Sequence, residues 1–312
     1  MNLRHILRTN IRLNLDVIQA SCESLNGDLE KSLVFAAITA ANVGQLDDDP
    51  VLTRQYAHTN VPDDLRRPIR AQRVAESLGL PRETTRVKVK LLIEEGLLQS
   101  TRSGLLIASA SMAGPRFQPL MRRYLESLAQ AIEQLAITES AGLGRQERLH
   151  PLPFPAMWGC IRLTTQHVLR GTVDLRSYTA PLSLLGSYLY LAMADVTSSH
   201  FSEGPEIVFA DHDTPPPIAA RRTISASALA AKLAMPRETV RRNLKAMVSG
   251  GWLYQDSSGF GLPNTETDDE LRRERQTQER SSADMSRLVR KLRHIGAIVS
   301  DGSAAGDHSP AA

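Results

Sequence analysis

One stretch of 39 residues occurs twice in this sequence, and the repeat constrains the fold more than any other feature. Residues 69–107 and residues 224–262 align without a gap at a constant offset of 155. We call them module A and module B. Fourteen of the 39 aligned positions are identical, whereas ordinary composition gives about two or three by chance. In module A these are Ile69, Ala71, Ala75, Leu78, Pro81, Arg82, Glu83, Thr84, Arg86, Lys90, Gly96, Leu98, Ser103 and Gly104. We therefore expect one structural unit that was duplicated within the chain.

The pattern inside each module predicts two short helices followed by a hairpin. In module A, apolar residues recur at helical spacing until Gly79-Leu80 interrupts them. Pro81 opens a second helix, because a proline at the first helical position loses no hydrogen bond. After Gly96, two short apolar segments flank a polar turn, which indicates a β-hairpin. Helix, tight turn, helix and hairpin predict a winged helix-turn-helix, in which the second helix enters the DNA major groove.

The second predicted helix of each module carries the same motif. Both copies read Arg-Glu-Thr-x-Arg-x-x-x-Lys, followed by Gly-x-Leu. This motif resembles the DNA-binding end of the Crp/Fnr (catabolite activator) regulators of bacteria. The resemblance covers only the modules, and no cyclic-nucleotide β-barrel is visible, so it implies the DNA-binding unit without the family's ligand. It implies that the residues in contact with bases are Arg82 and Glu83 in module A and Arg237, Glu238 and Arg242 in module B.

Module A departs from the motif at one position, where Val87 stands in place of an arginine. Arginine binds guanine through two hydrogen bonds, and glutamate accepts one from cytosine. The difference between Val87 and Arg242 therefore predicts two half-sites with different base preferences. Pro81 and Pro236 also replace the hydroxyl residue that is usual at the start of this helix in the family.

Other polar side chains near these helices suit DNA phosphates, which position a protein without specifying sequence. We expect phosphate contacts from Thr84, Arg86, Lys90, Thr239, Arg241 and Lys245. An arginine pair precedes each module at matched positions, and we interpret these pairs as phosphate clamps or as solvated loop ends. The pairs are Arg66 with Arg67 and Arg221 with Arg222.

Local charge supports a nucleic-acid partner. From Arg66 to Lys90, eight Lys and Arg residues stand against two Glu, whereas the whole chain has a formal net charge of +3. A clustered basic segment is typical of proteins that bind phosphates.

Composition and motifs exclude several other classes. A hydrophobic content of 42% and a charged content of 23% are typical of a globular protein. Cys22 and Cys160 lack any metal-binding spacing, so we expect free thiols in a reducing cytoplasm. The longest apolar run is interrupted by Asp195 and is too short to span a membrane. No phosphate-binding glycine loop, nucleophile elbow or zinc-protease motif occurs, so we expect no enzymatic activity, cofactor or metal. We expect a cytoplasmic, nucleoid-associated protein.

The expected fold is mainly α with small β-hairpin wings, built from two tandem winged helix-turn-helix domains and supporting long helices. The long helix after module A has a wide apolar stripe, which is typical of either a core or a homodimer contact. A turn-rich linker follows, and we place the domain boundary there. The predicted segments are 1–112 for the first domain, 113–155 for the long helix and linker, 156–267 for the second domain, 268–299 for a charged helix and 300–312 for a disordered tail.

Three functions fit these features. The first is a transcriptional regulator that binds a two-part DNA site as a single-chain pseudo-dimer. The second is a plasmid-type replication initiator, which also carries tandem winged modules and binds direct repeats. The third is an architectural or protein-docking protein. The sequence identifies no small-molecule effector.

Overall fold

A computed structural model of the chain describes residues 2–108, 114–151, 153, 156–202, 207–212, 215–264 and 267–300. In this part of the chain the protein is mainly helical, with three antiparallel sheets of two strands each. The expected mainly α class with small antiparallel sheets is therefore confirmed. The tail predicted at 300–312 lies outside the described residues, except for Ser300, which ends the last strand.

Half A, residues 3–137, contains module A and its supporting helices. Its helices are α1 (Leu3–Ser24), α2 (Leu29–Val43), α3 (Pro50–Gln55), α4 (Ala71–Leu78), α5 (Arg82–Glu94) and α6 (Gln118–Ile137), and its hairpin strands are β1 (Leu98–Thr101) and β2 (Gly104–Ile107). The Asp28 side chain caps α2 by accepting a hydrogen bond from the Lys31 amide. Gly79 ends α4 in the left-handed region with φ 61°, so the chain turns directly into α5.

Half B, residues 157–294, repeats this order except that its described residues contain no counterpart of α3. Its helices are α7 (Met157–Tyr178), α8 (Leu184–Ser198), α9 (Ala226–Lys232), α10 (Arg237–Ser249) and α11 (Asp268–His294), and its hairpin strands are β4 (Tyr254–Gln255) and β5 (Phe260–Gly261). Helices α8 and α10 begin and end 155 residues after α2 and α5. Ser183 caps α8 as Asp28 caps α2, and Ala234 is left-handed, with φ 51°, where module A has Gly79.

Each hairpin is attached to the residue that precedes the first helix of its module. Ile69 pairs with Leu105, and Ile224 pairs with Phe260. A glycine lies beside each pair. A Cβ atom on Gly104 would lie 2.7 Å from the Ile69 carbonyl oxygen, and one on Gly259 would lie 2.6 Å from that of Ile224. This close approach explains why both copies have glycine at this position.

The two halves share one hydrophobic core. Between them, β3 (Glu147–Leu149) pairs with β6 (Ile298–Ser300), which follows α11. The turn-rich linker predicted at 142–155 therefore contains a strand, and the predicted C-terminal helix is followed by one. The halves are joined by this sheet as well as by helix packing.

The long helices bury their apolar stripes inside the chain. Helix α6 packs on α1, and the stripe from Leu120 to Leu135 is buried. In the second half of α11, Met285, Leu288, Val289 and Leu292 are buried as well. The α6 stripe therefore belongs to the core, which is one of its two predicted roles, and a homodimer stays a prediction. In the described ranges, no helix has both the length and the hydropathy that a membrane crossing requires.

Matched helices of the two halves make matched contacts with the opposite half. Helix α1 contacts α8 and α11 of half B, while α7 contacts α2 and α6 of half A. The same exchange occurs between residues: Arg4 Nη2 donates to the His212 carbonyl at 3.3 Å, and the Gly159 amide donates to the Ala57 carbonyl at 2.9 Å. Positions 4 and 159, like 57 and 212, differ by 155. Mutual exchange of this kind is characteristic of a twofold interface, whereas a translated copy would make only one of the two contacts.

Candidate nucleic-acid interface

Helix α5 buries one face and exposes the opposite face. Thr85, Val89 and Leu92 are buried against the rest of the half, where α5 packs on α2 and α4. With about 3.6 residues per turn, the residues on the opposite side face solvent. The exposed residues there are Arg82, Glu83, Arg86, Val87, Lys90 and Leu91.

Helix α10 repeats this arrangement. Its buried residues are Val240, Leu244 and Met247, and it packs on α8 and α9. Its exposed residues are Arg237, Glu238, Arg242 and Lys245, while Thr239 and Arg241 are half-buried. Thr84 is half-buried like Thr239. The five residues expected to contact bases are therefore all exposed on these two helices, and four of them form two matched pairs.

The glutamate of each motif forms an ion pair within its own helix. Arg86 donates to Glu83 through Nε at 2.8 Å and through Nη2 at 2.5 Å. Arg241 donates to Glu238 in the same way, at 2.7 and 2.5 Å. These hydrogen bonds lower the pKa of both glutamates. Both pairs are exposed to solvent and screened by salt, so their side chains rearrange at little cost when a ligand binds.

The first arginine of each pair that precedes a module has a structural role. The Arg66 side chain is only 2% exposed. It donates to the Val61 carbonyl at 2.9 and 3.2 Å and to the Ile107 carbonyl at 3.2 Å, and burial lowers its pKa. The phosphate contact predicted for Arg66 is therefore wrong, because its guanidinium group joins the end of the hairpin to the preceding loop.

Arg221 is held in the same way in half B. It is half-buried, and it donates to the Pro216 carbonyl at 3.2 Å and the Pro263 carbonyl at 3.1 Å. The second arginine of each pair, Arg67 or Arg222, is exposed. Only these two arginines of the predicted clamps have fully exposed side chains.

The basic segment of module A is divided between two faces. Lys88 is half-buried and donates to Asp28 at 2.8 Å, with Glu30 at 3.4 Å. Together with Arg66, it is therefore absent from the exposed basic surface. The cations that remain exposed between residues 66 and 90 are Arg67, Arg70, Arg73, Arg82, Arg86 and Lys90. The exposed acids there are Glu76 and Glu83, so the surface around α5 stays positively charged.

A buried asparagine, which the sequence analysis missed, anchors the hairpin of module A. Asn42 Nδ2 donates to the Arg67 carbonyl at 2.8 Å and to the Leu105 carbonyl at 3.0 Å, and Asn42 Oδ1 accepts from the Ile107 amide at 2.8 Å. The matched residue in half B is Thr197, which is buried and whose hydroxyl has no hydrogen-bond partner among the described residues. The available signal was an asparagine near the end of the largely apolar α2 segment.

Other chemistry finds little support at the described positions. No group of three His, Cys, Asp or Glu side chains is arranged there to hold a metal ion. Burial raises the pKa of the Cys22 thiol to about 11 and that of the Cys160 thiol to about 12. Neither thiol is therefore ionised near neutral pH, as a nucleophile would have to be.

Comparison of the chain with protein-family models, with curated proteins and with solved structures found no match. The clearest clue to function is therefore the repeated surface, in which an arginine and a glutamate are exposed at the start of two matched helices.

Proposed function

We propose that the chain is a sequence-specific double-stranded DNA-binding protein that regulates transcription as a single-chain pseudo-dimer. In this proposal the modules are winged helix-turn-helix units that arose by internal duplication. One observation carries it: the same Arg-Glu-Thr set occupies the exposed first turn of α5 and α10. No packing contact requires Arg82 and Glu83, or Arg237 and Glu238, to be identical.

The expected chemistry follows from these side chains. Arg82 and Arg237 donate to guanine O6 and N7, and Glu83 and Glu238 accept from cytosine N4. When a glutamate turns to a base, its ion-pair partner, Arg86 or Arg241, is released to bind a phosphate. Thr84, Thr239, Lys90, Lys245, Arg67 and Arg222 supply further phosphate contacts, which fix the register of the helix on the duplex.

The reciprocal contacts between the halves support an inverted DNA site. A twofold relation presents α5 and α10 to successive major grooves, about 34 Å or ten base pairs apart. Covalent linkage gives the second module a high effective concentration once the first has bound. Repression by occupancy of a promoter is the simplest mechanism. A replication initiator that binds direct repeats would need translated modules, which the exchange of contacts does not favour.

Selection from random duplex DNA at two salt concentrations tests the proposal. We expect enrichment of two half-sites in inverted orientation, about one helical turn apart, with an affinity that falls as salt rises. Half-sites in direct orientation would instead support the initiator. Salt-sensitive binding without enrichment would support an architectural role, and no binding at low salt would leave protein docking.

A further inference from the structure

Val87 lies at the centre of the exposed face of α5. The buried side chains of this helix are Thr85, Val89 and Leu92. At about 3.6 residues per turn, position 87 lies opposite the middle of that buried stripe. The Val87 side chain is 42% exposed, although it is a large aliphatic group. Its matched residue in α10, Arg242, is exposed in the same place.

A second aliphatic residue extends this apolar surface. Leu91 lies one turn after Val87 on the same face and is 38% exposed. Side chains four residues apart on a helix are neighbours, so the two form one small apolar patch. In α10 the matched residues are Arg242 and Ala246. The patch is therefore a property of module A and is not required by the shared backbone.

The charged side chains beside the patch indicate what kind of partner can bind it. Arg82, Arg86 and Lys90 are exposed on the same helix, where the exposed Glu83 and Glu94 pair with Arg86 and Lys90. A partner for this surface must offer anionic groups at the edge and an apolar group at the centre. The major groove of duplex DNA does so, since phosphates flank it and the thymine C5-methyl group projects into it.

The geometry points to thymine as the base bound by module A at the position where module B binds guanine. Val87, with Leu91 beside it, contacts the thymine methyl group, and Arg242 donates to guanine O6 and N7. This inference rests on the proposed DNA-binding function. It makes the preferred site an inverted repeat whose two halves differ at one matched base pair.

Exchange of the two side chains tests the assignment. In selections from random duplex DNA, the wild-type chain is expected to enrich thymine in one half-site and guanine at the matched position of the other. Val87→Arg is expected to give guanine in both halves, and Arg242→Val is expected to give thymine in both. Since both positions are exposed, neither change removes a core contact.

Removal of the methyl group alone provides a second test that needs no variant. Deoxyuridine in place of the selected thymine is expected to weaken wild-type binding about fourfold, as the loss of one buried methyl group does. The Val87→Arg chain, bound to its own selected site, is expected to show no such loss when deoxyuridine replaces any thymine of half-site A.

The outcomes separate this inference from the function on which it rests. Binding to a two-part site that tolerates deoxyuridine, with an unchanged site for Val87→Arg, would overturn the thymine assignment and leave the proposed function intact. Failure of the wild-type chain to bind any duplex at low salt would overturn both, and the patch would then be a protein-binding surface.

Discussion

Modules A and B fold in the same way but attach their hairpins differently. Module A has a hairpin of two four-residue strands, and Asn42 forms two hydrogen bonds with it and a third with the Arg67 carbonyl. Module B has strands of two residues and Thr197 at the matched position. The attachment therefore differs between the modules, while the Arg-Glu-Thr residues are the same. Arg82 and Arg237 are exposed in both modules, and this identity at the surface is what the proposed DNA contact explains.

A second group of identical pairs does have a structural cause. Gly104 and Gly259 are required by the nearby carbonyl groups of Ile69 and Ile224. Gly96 and Gly251 adopt left-handed backbone angles, with φ 69° and 74°. These residues say nothing about function. The comparison thus separates the repeat into residues retained for the backbone and residues retained for the surface.

The largest difference in stability between matched substitutions is expected at Asn42 and Thr197. Asn42→Ala should destabilise the protein by about 3 kcal/mol, because it leaves the buried Ile107 amide and the Arg67 carbonyl without partners. The matched change Thr197→Ala removes a buried hydroxyl that has no partner in the described structure, and it should cost less than about 1 kcal/mol. Urea unfolding of the full chain measures both. Equal losses of unfolding free energy in the two variants would contradict the difference in hairpin attachment.

Substitution of the first arginine, Arg66, is expected to change stability. Substitution of the second arginine of each pair, Arg67 and Arg222, is expected to change DNA affinity. Arg66→Ala is expected to cost about 2 kcal/mol of unfolding free energy, since it leaves the Val61 and Ile107 carbonyls without a donor. Arg67→Ala combined with Arg222→Ala should leave the urea midpoint unchanged. It should also reduce the slope of log affinity against log salt by about 1.8, for two lost phosphate contacts. An unchanged slope would show that neither arginine contacts phosphate.

The buried Thr85 hydroxyl in α5 is expected to lower the stability of the protein. Helix α10 has no such hydroxyl at the matched position. Thr85 is fully buried, and its hydroxyl has no partner among the described residues, whereas the matched residue in module B is Val240. Thr85→Val should therefore raise the free energy of unfolding by about 1 kcal/mol. Val240→Thr should lower it by a similar amount. A destabilised Thr85→Val protein would mean that the hydroxyl is hydrogen-bonded in solution.

The smallest effect is expected at the turn between the two helices of each module. Ala234 holds a left-handed angle that costs a residue with a Cβ atom about 1 kcal/mol. Ala234→Gly relieves this cost but adds freedom to the unfolded chain, so a net gain of about 0.5 kcal/mol is expected. Gly79→Ala should lose about 1 kcal/mol at the matched position. Changes of opposite sign in the stability measured by thermal unfolding would support equivalent turns. Changes of the same sign would contradict this equivalence.

Local patterns in the sequence were sufficient to predict the elements of each module. Helical spacing, Pro81 and the glycines placed α4, α5 and the hairpin close to their observed bounds, because these signals act within a few residues.

Contacts between distant residues were not predictable in this way. The sequence does not distinguish Arg66 from Arg67, and only the position of the Val61 and Ile107 carbonyls decides which one is buried. Lys88 was counted as a basic surface residue. Its partner Asp28 lies 60 residues away in the sequence, so the local pattern gave no sign of the ion pair. The pairing of β3 with β6 joins segments about 150 residues apart, and no local pattern encodes it.

The central claim is that the exposed arginine and glutamate at the start of α5 and of α10 bind specific bases. The most direct test compares binding to the selected duplex and to a scrambled duplex of equal length. The chains to compare are the wild type, Arg82→Ala with Arg237→Ala, and the charge-matched control Arg272→Ala with Arg275→Ala on the exposed start of α11.

For the selected duplex, the first double variant is expected to lose at least about tenfold in affinity per module, as the loss of an arginine–guanine contact does. Its affinity for the scrambled duplex should fall no further than that of the control. Equal losses for both double variants on both duplexes would reduce the interaction to charge alone and would contradict the claim.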